Sequence, residues 1–325
     1  MVLVTSRSFS SGDLDLRAEV EGAGLELVVG PPDHDLTALA PLLARSTAWV
    51  AGTAPVTAAH LDAAPRLRLV ARYGVGVDAV DLAAAAERGV LVTNTPGANS
   101  AAVADHAVAL ILAGLRDVGP GDREVRAGGH RVRRTRELGP LTVGVVGLGR
   151  IGRGVVARLS GFGSPLLGHD PGLTDAQLVA LGVRPVDLDE LARGSDVVTL
   201  HSPGDQVLVD ARFLAGRPGR ALLVNTARAA LVDEDAVAEA LRSGDLLRYA
   251  SDVLVGESGG ARSPLLADDL AGATLFTPHA GAQTVEAVDA MGRGAVDAVL
   301  AVARGEQPPN LVRPPGRPVD EPEAP

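Results

Sequence analysis

Short apolar segments alternate with helix-like segments along almost the whole chain, and this alternation constrains the fold more than any other feature. The N-terminal part contains the apolar runs MVLVTS, ELVVG, AWVAG, LRLVARYG and VLVTN. Stretches such as TALAPLLARS and VDLAAAAERG separate them and have the composition of helices. Strands that alternate with helices in this way predict a parallel α/β sheet. This first unit is expected to end near Pro96.

A second alternation begins at Leu141. Its apolar runs are LTVGVVG, SPLLGHD, DVVTLH, RALLVNT, LLRYASDV and ATLFTPH. Ahead of it, residues 100–118 are predicted to form a long helix with Ser100 as N-cap. The glycine-rich segment GPGDREVRAGGHRVRRTRELGP that follows is expected to be a loop or a poorly formed helix. With 325 residues, of which 46% are hydrophobic, the chain is long enough for two α/β domains.

Composition excludes several kinds of partner and site. The formal net charge is −10, and an acidic surface repels nucleic-acid phosphates and anionic membranes, so neither is an expected partner. The absence of cysteine excludes disulfides, thiolate metal sites and cysteine nucleophiles. No basic start with an apolar run and no stretch of about 18 apolar residues occurs, so a cytoplasmic protein is expected. No cluster of His, Asp and Glu has metal-ligand spacing, so no metal is predicted.

The stretch VGVVGLGRIGRGVVARL contains the pattern GxGxxG in Gly147, Gly149 and Gly152. A predicted strand precedes it, a predicted helix follows, and the next strand, LLGHD, ends at Asp170. In a dinucleotide site the first glycine allows the tight turn, the second admits the pyrophosphate, and the third permits close helix–strand packing. An acid at this distance accepts hydrogen bonds from ribose hydroxyls and repels a 2′-phosphate. The context favours an NAD site, with NADP less favoured, over a glycine-rich turn without a ligand.

Three ionisable residues follow predicted strands of this second unit. Arg228 lies in LLVNTARAALVDE, Glu257 in SDVLVGES and His279 in FTPHAGAQT. Ligands of open parallel sheets bind beyond the carboxyl ends of the strands. There an arginine can bind a carboxylate, a glutamate can raise the pKa of a histidine, and a histidine can exchange a proton with a substrate hydroxyl. Each residue alone also fits a surface or structural role, but their shared edge favours a site.

Other polar segments leave two interpretations open. The loop RYGVGVD, residues 72–78, either offers backbone amides to a small anion or is an ordinary tight turn. The segment HRVRRTRELG is either a solvated charge run or a second anion site that would favour a phosphorylated or phosphonate substrate; its arginines are Arg131, Arg133, Arg134 and Arg136. His106 lies inside the long predicted helix and is assigned a structural role.

Four segments together resemble the D-isomer-specific 2-hydroxyacid dehydrogenase family: ARYGVGVDAVDLAAAAERGVLVTNTPGANS, VGVVGLGRIG, LLVNTARAALVDEDAVAEAL and FTPHAGAQTVEA. The resemblance implies two doubly wound parallel-sheet domains, a Rossmann cofactor domain and a flavodoxin-like substrate domain, with a cleft between them. It implies a discontinuous substrate-binding domain of residues 1–99 plus 283–312, an NAD-binding domain of residues 100–282, and a homodimer. Residues 313–325 are rich in proline and acidic side chains and are expected to form a disordered tail.

The resemblance also implies roles for individual residues. The catalytic arginine, glutamate and histidine of the family map to Arg228, Glu257 and His279. Substrate contacts are expected from Arg228 and His279. They are also expected from Val75, Gly76 and Asn99. The expected cofactor-binding residues are Gly147, Gly149, Arg150, Ile151, Gly152, Asp170, His201, Thr226, Asp252 and Gly281.

The sequence therefore predicts an NAD-dependent oxidoreductase that interconverts a 2-oxo acid and a D-2-hydroxy acid, with a phosphorylated or phosphonate 2-oxo acid as a candidate substrate. The alternative is a non-catalytic NAD-sensing scaffold, like the corepressors built on this fold. A formate dehydrogenase is a third interpretation, but that relative has glutamine where Glu257 stands in this chain.

Overall fold

The structure of the protein is a computed structural model that describes residues 1–215, 221–256, 260 and 262–312. The described residues divide into two compact units. The first contains Met1–Asn99 and the chain from Gln283 onward, and the second contains Ser100–Ala282. The tail expected at residues 313–325 lies outside the described part of the chain.

A parallel sheet of five described strands forms the centre of the first unit, in the order β2-β1-β3-β4-β5. The strands are β1 (Val2–Val4), β2 (Leu27–Val29), β3 (Ala48–Ala51), β4 (Leu69–Arg72) and β5 (Leu91–Thr93). The helices are α1 (Leu16–Gly22), α2 (Leu36–Leu43), α3 (Ala58–Asp62), α4 (Leu82–Glu87) and, near the end of the chain, α12 (Val285–Ala303). This is the strand order of flavodoxin-like sheets, as predicted.

The second unit contains a parallel sheet of seven described strands, in the order β12-β11-β10-β9-β6-β7-β8. The strands are β6 (Val143–Val146), β7 (Leu166–His169), β8 (Arg184–Pro185), β9 (Val197–Leu200), β10 (Ala221–Asn225), β11 (Leu246–Ser251) and β12 (Thr274–Phe276). The helices are α5 (Ser100–Leu115), α6 (Val118–Arg126), α7 (Arg150–Leu159), α8 (Asp175–Ala180), α9 (Leu188–Gly194), α10 (Ala211–Ala215) and α11 (Glu234–Ser243). Short 3-10 helices span Ser160–Phe162, Ala229–Leu231, Pro264–Leu266 and Asp268–Leu270. The order reverses between β6 and β9, which is the Rossmann switch point where dinucleotides bind.

Both sheets are built from short apolar runs because helices cover both of their faces. Every residue of β6 and of β9 is buried. Small side chains let the covering helices approach closely: a Cβ atom at Gly154 of α7 would lie 3.1 Å from the Cβ of Ala104 on α5. Among the residues that the structure describes, no helix is both long and apolar enough to cross a membrane.

Part of the glycine-rich segment expected to be a loop or a poorly formed helix is the regular helix α6. Two interactions stabilise it. Within the helix, Arg126 Nε lies 2.9 Å from Asp122 Oδ2, four residues earlier. At its start, Asp117 adopts a left-handed backbone with φ of 57° and accepts a hydrogen bond from the buried Arg248 of β11. The second interaction joins distant parts of the chain, so local sequence patterns do not reveal it.

A closed hydrogen-bond network lies at the centre of the first unit. The Thr5 hydroxyl oxygen accepts from Trp49 Nε1 at 3.0 Å and from the Gly52 amide at 3.3 Å, so its own proton is donated to His34 Nε2 at 2.7 Å. The other ring nitrogen, His34 Nδ1, donates to the Pro55 carbonyl at 2.9 Å. Each polar atom of this group therefore has a partner only when the His34 ring is neutral.

A second histidine extends the network. His60 Nε2 donates to the His34 carbonyl at 2.8 Å, and His60 Nδ1 accepts from the Thr57 amide at 3.1 Å. Burial lowers the pKa of His34. The Pro55 carbonyl and Asp33 oppose this effect, while His60 and Arg72 add to it. The folded unit therefore disfavours the imidazolium form of His34.

We expect the stability of the first unit to fall as the pH falls below about 6.5, the ordinary pKa of histidine. Below that pH the unfolded chain binds a proton at His34 that the folded chain excludes, which lowers the free energy of unfolding by up to about 1.4 kcal/mol per pH unit. His34→Asn keeps a side chain that tolerates the φ of 59° at this position and cannot take up the proton.

Urea unfolding at pH 7.5 and 5.5 measures the effect. The loss of stability on acidification should be smaller in His34→Asn than in the natural protein. It should be unchanged in His130→Asn, which replaces an exposed histidine. Equal losses of stability in all three proteins would contradict the assignment of this pH effect to His34.

Candidate active site

The GxGxxG turn connects β6 to α7, as predicted. Gly147 has φ of 86°, and a Cβ atom there would lie 2.6 Å from the Ser202 amide nitrogen. A Cβ atom at Gly152 would lie 2.0 Å from the Gly147 carbonyl oxygen. Gly149 is the N-cap of α7, and apart from its own chain neighbours no atom of the described residues lies within 4 Å of the place its Cβ would take. Packing thus explains two of the glycines, whereas the third leaves open space at a helix N-terminus, where anions bind.

Asp170 follows β7 and lies against this turn. Its Oδ2 accepts from the Leu148 amide at 2.7 Å, and its Oδ1 accepts from the Gly172 amide at 2.9 Å. A pocket of about 420 Å³ adjoins it, and its lining includes His169, Asp170, Asp175, Asp187 and Glu190. The carboxylate is therefore held beside the glycine turn in acidic surroundings.

The strands β9, β10, β11 and β12 end at the same edge of the sheet. Their parallel register pairs Leu200 with Asn225, Asn225 with Ser251, and Ser251 with Phe276. The residues that follow these strand ends include six of the predicted site residues: His201, Thr226, Arg228, Asp252, His279 and Gly281. Glu257, the predicted catalytic glutamate, lies outside the described residues.

His201, a predicted cofactor residue, has a neutral ring. Its Nε2 lies 2.9 Å from Thr199 Oγ1, and its Nδ1 lies 3.5 Å from Thr226 Oγ1. Burial lowers the pKa of His201 to about 3. At physiological pH this side chain is therefore a neutral hydrogen-bonding group and carries no charge for a phosphate or a carboxylate.

Arg228 is positioned by the side chain of Asn225, the last residue of β10. Asn225 Nδ2 donates to the Arg228 carbonyl at 2.8 Å, and Asn225 Oδ1 accepts from the Ala227 amide at 2.9 Å. Arg228 Nη1 donates to the Ala227 carbonyl at 2.9 Å. One buried amide thus holds both sides of the turn that presents the guanidinium.

Asp252, the residue after β11, anchors the loop that follows β12. Its Oδ1 accepts from the Thr277 hydroxyl and from the Ala280 amide at 2.8 Å, and its Oδ2 accepts from the Gly281 amide at 2.8 Å. Burial alone would raise the pKa of Asp252, but these bonds and one from His106 outweigh it and hold the pKa below its usual range. The anchor is therefore a carboxylate at neutral pH.

The anchored loop holds His279 in a conformation that is uncommon for residues other than glycine. Its φ is 53°, and its amide donates to the carbonyls of Asp252 at 3.1 Å and Thr277 at 3.0 Å. Such left-handed conformations persist where the surroundings impose them, and they concentrate at functional sites.

His106, to which the sequence assigned a structural role, contacts the residues that anchor the loop carrying His279. It lies on α5, with Nε2 at 2.8 Å from Thr277 Oγ1 and 3.3 Å from Asp252 Oδ1. Because the Thr277 hydroxyl donates to Asp252, its oxygen accepts from His106 Nε2. A histidine in an otherwise Ala/Val/Leu-rich helix was the only sequence signal. Its partners, Asp252 and Thr277, lie 146 and 171 residues further along the chain, which no local pattern reveals.

The first unit contains the remaining predicted substrate residues, Val75, Gly76 and Asn99. Val75 and Gly76 lie in the loop after β4, where the Val75 carbonyl accepts from Asn94 Nδ2 at 2.8 Å. Asn94 was not among the residues singled out from the sequence. Asn99 Oδ1 is buried, and no described residue donates a hydrogen bond to it.

One arginine of the arginine-rich segment, Arg133, pairs with an acid of the second unit. Arg133 Nη1 lies 3.4 Å from Asp117 Oδ2, and Asp117 also pairs with Arg248 of β11. Arg248 precedes Asp252 by four residues, about 13 Å along a strand. Arg133 therefore lies toward the amino-terminal edge of the sheet, away from the glycine turn.

In the described residues no group of three or more His, Asp and Glu side chains could hold a metal ion.

Comparison with known sequences identifies the second unit. Residues 108–281 match the model of a family described as D-isomer specific 2-hydroxyacid dehydrogenase, NAD binding domain. A D-3-phosphoglycerate dehydrogenase of Mycobacterium leprae is 38% identical over an alignment that covers 100% of this chain and 61% of that protein. The chain thus spans about three fifths of the length of that relative.

Solved structures show the same architecture. The TT0316 protein from Thermus thermophilus matches with a TM-score of 0.86 at 34% identity, covering 96% of this chain and 99% of that chain. A D-lactate dehydrogenase from Aquifex aeolicus, solved with NAD and lactic acid, matches with a TM-score of 0.84 at 27% identity, covering 97% of this chain and 100% of that chain. These similarities confirm the predicted fold class and the prediction that NAD is the cofactor.

Two glycine substitutions in the turn should have separable effects. Gly152→Ala forces a Cβ atom against the Gly147 carbonyl and should destabilise the protein by about 1–3 kcal/mol. Gly149→Ala has open space and an ordinary φ of −70°, so its stability should change by less than about 0.5 kcal/mol. Its affinity for NADH should nevertheless fall at least about tenfold, because the new methyl group occupies the helix N-terminus.

Thermal unfolding and NADH fluorescence titration distinguish these effects. Gly161→Ala is the matched control, since its Cβ also meets open space but lies beyond the end of α7. It should preserve both stability and binding. Unchanged NADH affinity in Gly149→Ala would contradict the placement of the cofactor at this turn.

Proposed function

Because this chain belongs to the D-isomer specific 2-hydroxyacid dehydrogenase family, we propose that it interconverts a 2-oxo acid and a D-2-hydroxy acid with NAD(H). The observation that carries the proposal is the edge shared by β10, β11 and β12, where the following loops bear Arg228, Asp252 and His279. Such a reaction requires a cation that binds the substrate anion and a group that exchanges a proton. Arg228 can supply the first and His279 the second.

The cofactor residues proposed from the sequence fit a bound NAD. Gly149 leaves space beside the first amides of α7, which include those of Arg150 and Ile151, and these amides suit a pyrophosphate. Asp170 is held at the turn with its carboxylate available to ribose hydroxyls. The acidic side chains in the adjoining pocket, Asp175 and Asp187 among them, disfavour a 2′-phosphate and so support NAD over NADP. When bound, the nicotinamide ring supplies hydride exchange with the substrate carbon.

Residues of this protein bind the substrate and exchange the proton. Arg228 binds the substrate carboxylate and polarises the reacting carbonyl through paired hydrogen bonds. His279 donates a proton to the carbonyl oxygen during reduction and accepts it during oxidation. Glu257, by the family resemblance, tunes that histidine. The amides of Val75 and Gly76 bind the carboxylate, and Asn99 lies among the substrate contacts.

The substrate class is a small 2-oxo acid, and a phosphorylated 2-oxo acid is the favoured member. A relative named D-3-phosphoglycerate dehydrogenase supports this choice. Arg133 gives it no further support, because it pairs with Asp117. A panel of pyruvate, glyoxylate, hydroxypyruvate and 3-phosphohydroxypyruvate, each with NADH and NADPH, ranks the candidates.

Replacement of His279 tests the mechanism directly. His279→Asn preserves a side chain that tolerates the φ of 53° but cannot exchange the proton, so turnover should fall at least about 100-fold. NADH oxidation followed at 340 nm measures turnover, and fluorescence titration should give an unchanged affinity for NADH. His130→Asn, at an exposed position, is the control and should be fully active.

Two results would overturn the proposal. Undiminished turnover in His279→Asn would remove this histidine from the reaction. NADH binding without turnover of any 2-oxo acid in the natural protein would favour the alternative, a non-catalytic NAD-sensing scaffold.

We further propose that the protein is a homodimer and works in the cytoplasm, where NAD(H) is available. Val118 and Val125 of α6 expose 56% and 59% of their surface, and the nearby Val132 exposes 95%. Scattered exposed apolar residues are ordinary, but three on one helix and its exit support the proposal that a second copy covers this face.

Light scattering tests the assembly and should give twice the mass of one chain. Val125→Asp should shift the protein toward the monomer. Val179→Asp, at a position of α8 with 62% exposure, should not. A monomeric natural protein would contradict the proposal.

A further inference from the structure

The loop after β4 has three successive carbonyl groups held by donors of the first unit. The Tyr73 carbonyl accepts from Arg72 Nη1, the Gly74 carbonyl accepts from the Thr95 amide at 3.0 Å, and the Val75 carbonyl accepts from Asn94 Nδ2 at 2.8 Å. Two of these three donors come from the residues directly after β5. The Gly74 and Val75 carbonyls are therefore both held by the segment that follows β5.

Holding a carbonyl also orients the next amide. In a trans peptide the C=O of one residue and the N–H of the following residue point in opposite directions within one rigid plane. No described peptide bond is cis. Thr95 therefore fixes the direction of the Val75 N–H, and Asn94 fixes the direction of the Gly76 N–H.

The two oriented amides remain available. Within the described part of the chain, neither the Val75 N–H nor the Gly76 N–H donates to an acceptor. Two successive amides that point to the same region form a concave site for a small anion. A substrate carboxylate is such an anion, and amides held in advance bind it without a cost of reordering the loop.

The position of Asn94 is itself secured by the end of the described chain. The Asn94 amide donates to the Asn310 carbonyl at 3.3 Å, and the Val312 amide donates to the Val92 carbonyl at 2.8 Å. Thr93 and Leu311 form an antiparallel bridge between these hydrogen bonds. The backbone of Asn94 is thus fixed on one side while its side chain supports the loop on the other.

We propose that Asn94 is a positioning residue for substrate binding: its side-chain amide holds the Val75 carbonyl and thereby aims the Gly76 N–H at the substrate carboxylate. This inference rests on the proposed 2-oxo acid substrate but assigns a role to a residue that does not touch it. Asn94 thereby sets the affinity for the carboxylate, not the rate of the chemical step.

Two variants remove the hydrogen bond in different ways. Asn94→Asp keeps the shape but replaces the donor by a carboxylate oxygen that repels the Val75 carbonyl. Asn94→Leu removes the donor without adding charge. Asn310→Asp is the matched control, because it introduces the same charge at an exposed position and leaves Asn94 intact.

Kinetics should show a split between KM and kcat. Both Asn94 variants should raise KM for the 2-oxo acid about 10- to 100-fold, the range of a hydrogen bond to a charged group. kcat should change less than about threefold, because a contact made equally in ground and transition states affects binding alone. NADH affinity should be unchanged, since the cofactor residues lie in the second unit.

A binding measurement keeps the inference testable without turnover. Oxamate, an unreactive analogue of a 2-oxo acid, is titrated in the presence of NADH while the amide resonances of Val75 and Gly76 are followed by NMR. The natural protein should show large shifts at both amides, and the Asn94 variants should bind oxamate at least about tenfold more weakly.

The outcomes separate the two proposals. Equal oxamate affinity in the natural protein and both Asn94 variants overturns the role of Asn94, whatever the turnover. Failure of the natural protein to bind oxamate overturns it as well. Oxamate binding that depends on Asn94, with no 2-oxo acid reduced, preserves this inference and overturns the proposed function.

Discussion

Parallel strand pairing is the constraint on which the candidate site depends. In a parallel sheet every strand runs in the same direction, so the residues that follow neighbouring strands meet at one edge. In the second unit this places the loops after β10, β11 and β12 side by side, although their residues are separated by long stretches of chain. The glycine turn after β6 opens at the same edge, which gives a cofactor and three polar loops a common location.

The loops at that edge are ordered by polar groups rather than by apolar packing. Asn225 holds both sides of the Arg228 turn, and Asp252 accepts the hydroxyl and two amides that shape the loop carrying His279. The loop after β4 in the first unit follows the same principle, since its carbonyls are held by protein donors. Satisfying one side of a loop within the protein leaves the other side free to bind a ligand, which is how a buried hydrogen-bond network prepares a site in advance.

Much of this arrangement could be predicted from local patterns. The GxGxxG turn and Asp170 were recognisable because the glycines, the flanking strand and helix, and the acid occur at short, fixed spacings. Arg228 and His279 were recognisable because each directly follows an apolar run. The partners of His106 and Asn94 could not be predicted from the sequence, for the opposite reason. Each acts on a residue from another element, and a lone histidine in a helix or an asparagine after a strand has no spacing to reveal its partner.

The sequence by itself determined the two parallel α/β sheets, the dinucleotide turn and the polar residues at the strand ends, because hydrophobic periodicity and glycine geometry are local properties. Only the tertiary structure decided which of those polar residues cooperate. It placed His106 against Asp252, directed Asn94 to the Val75 carbonyl, and turned Arg133 toward Asp117. The physical reason is that hydrogen bonds and ion pairs act over about 3 Å in space, whereas the partners lie from 16 to about 150 residues apart in the chain.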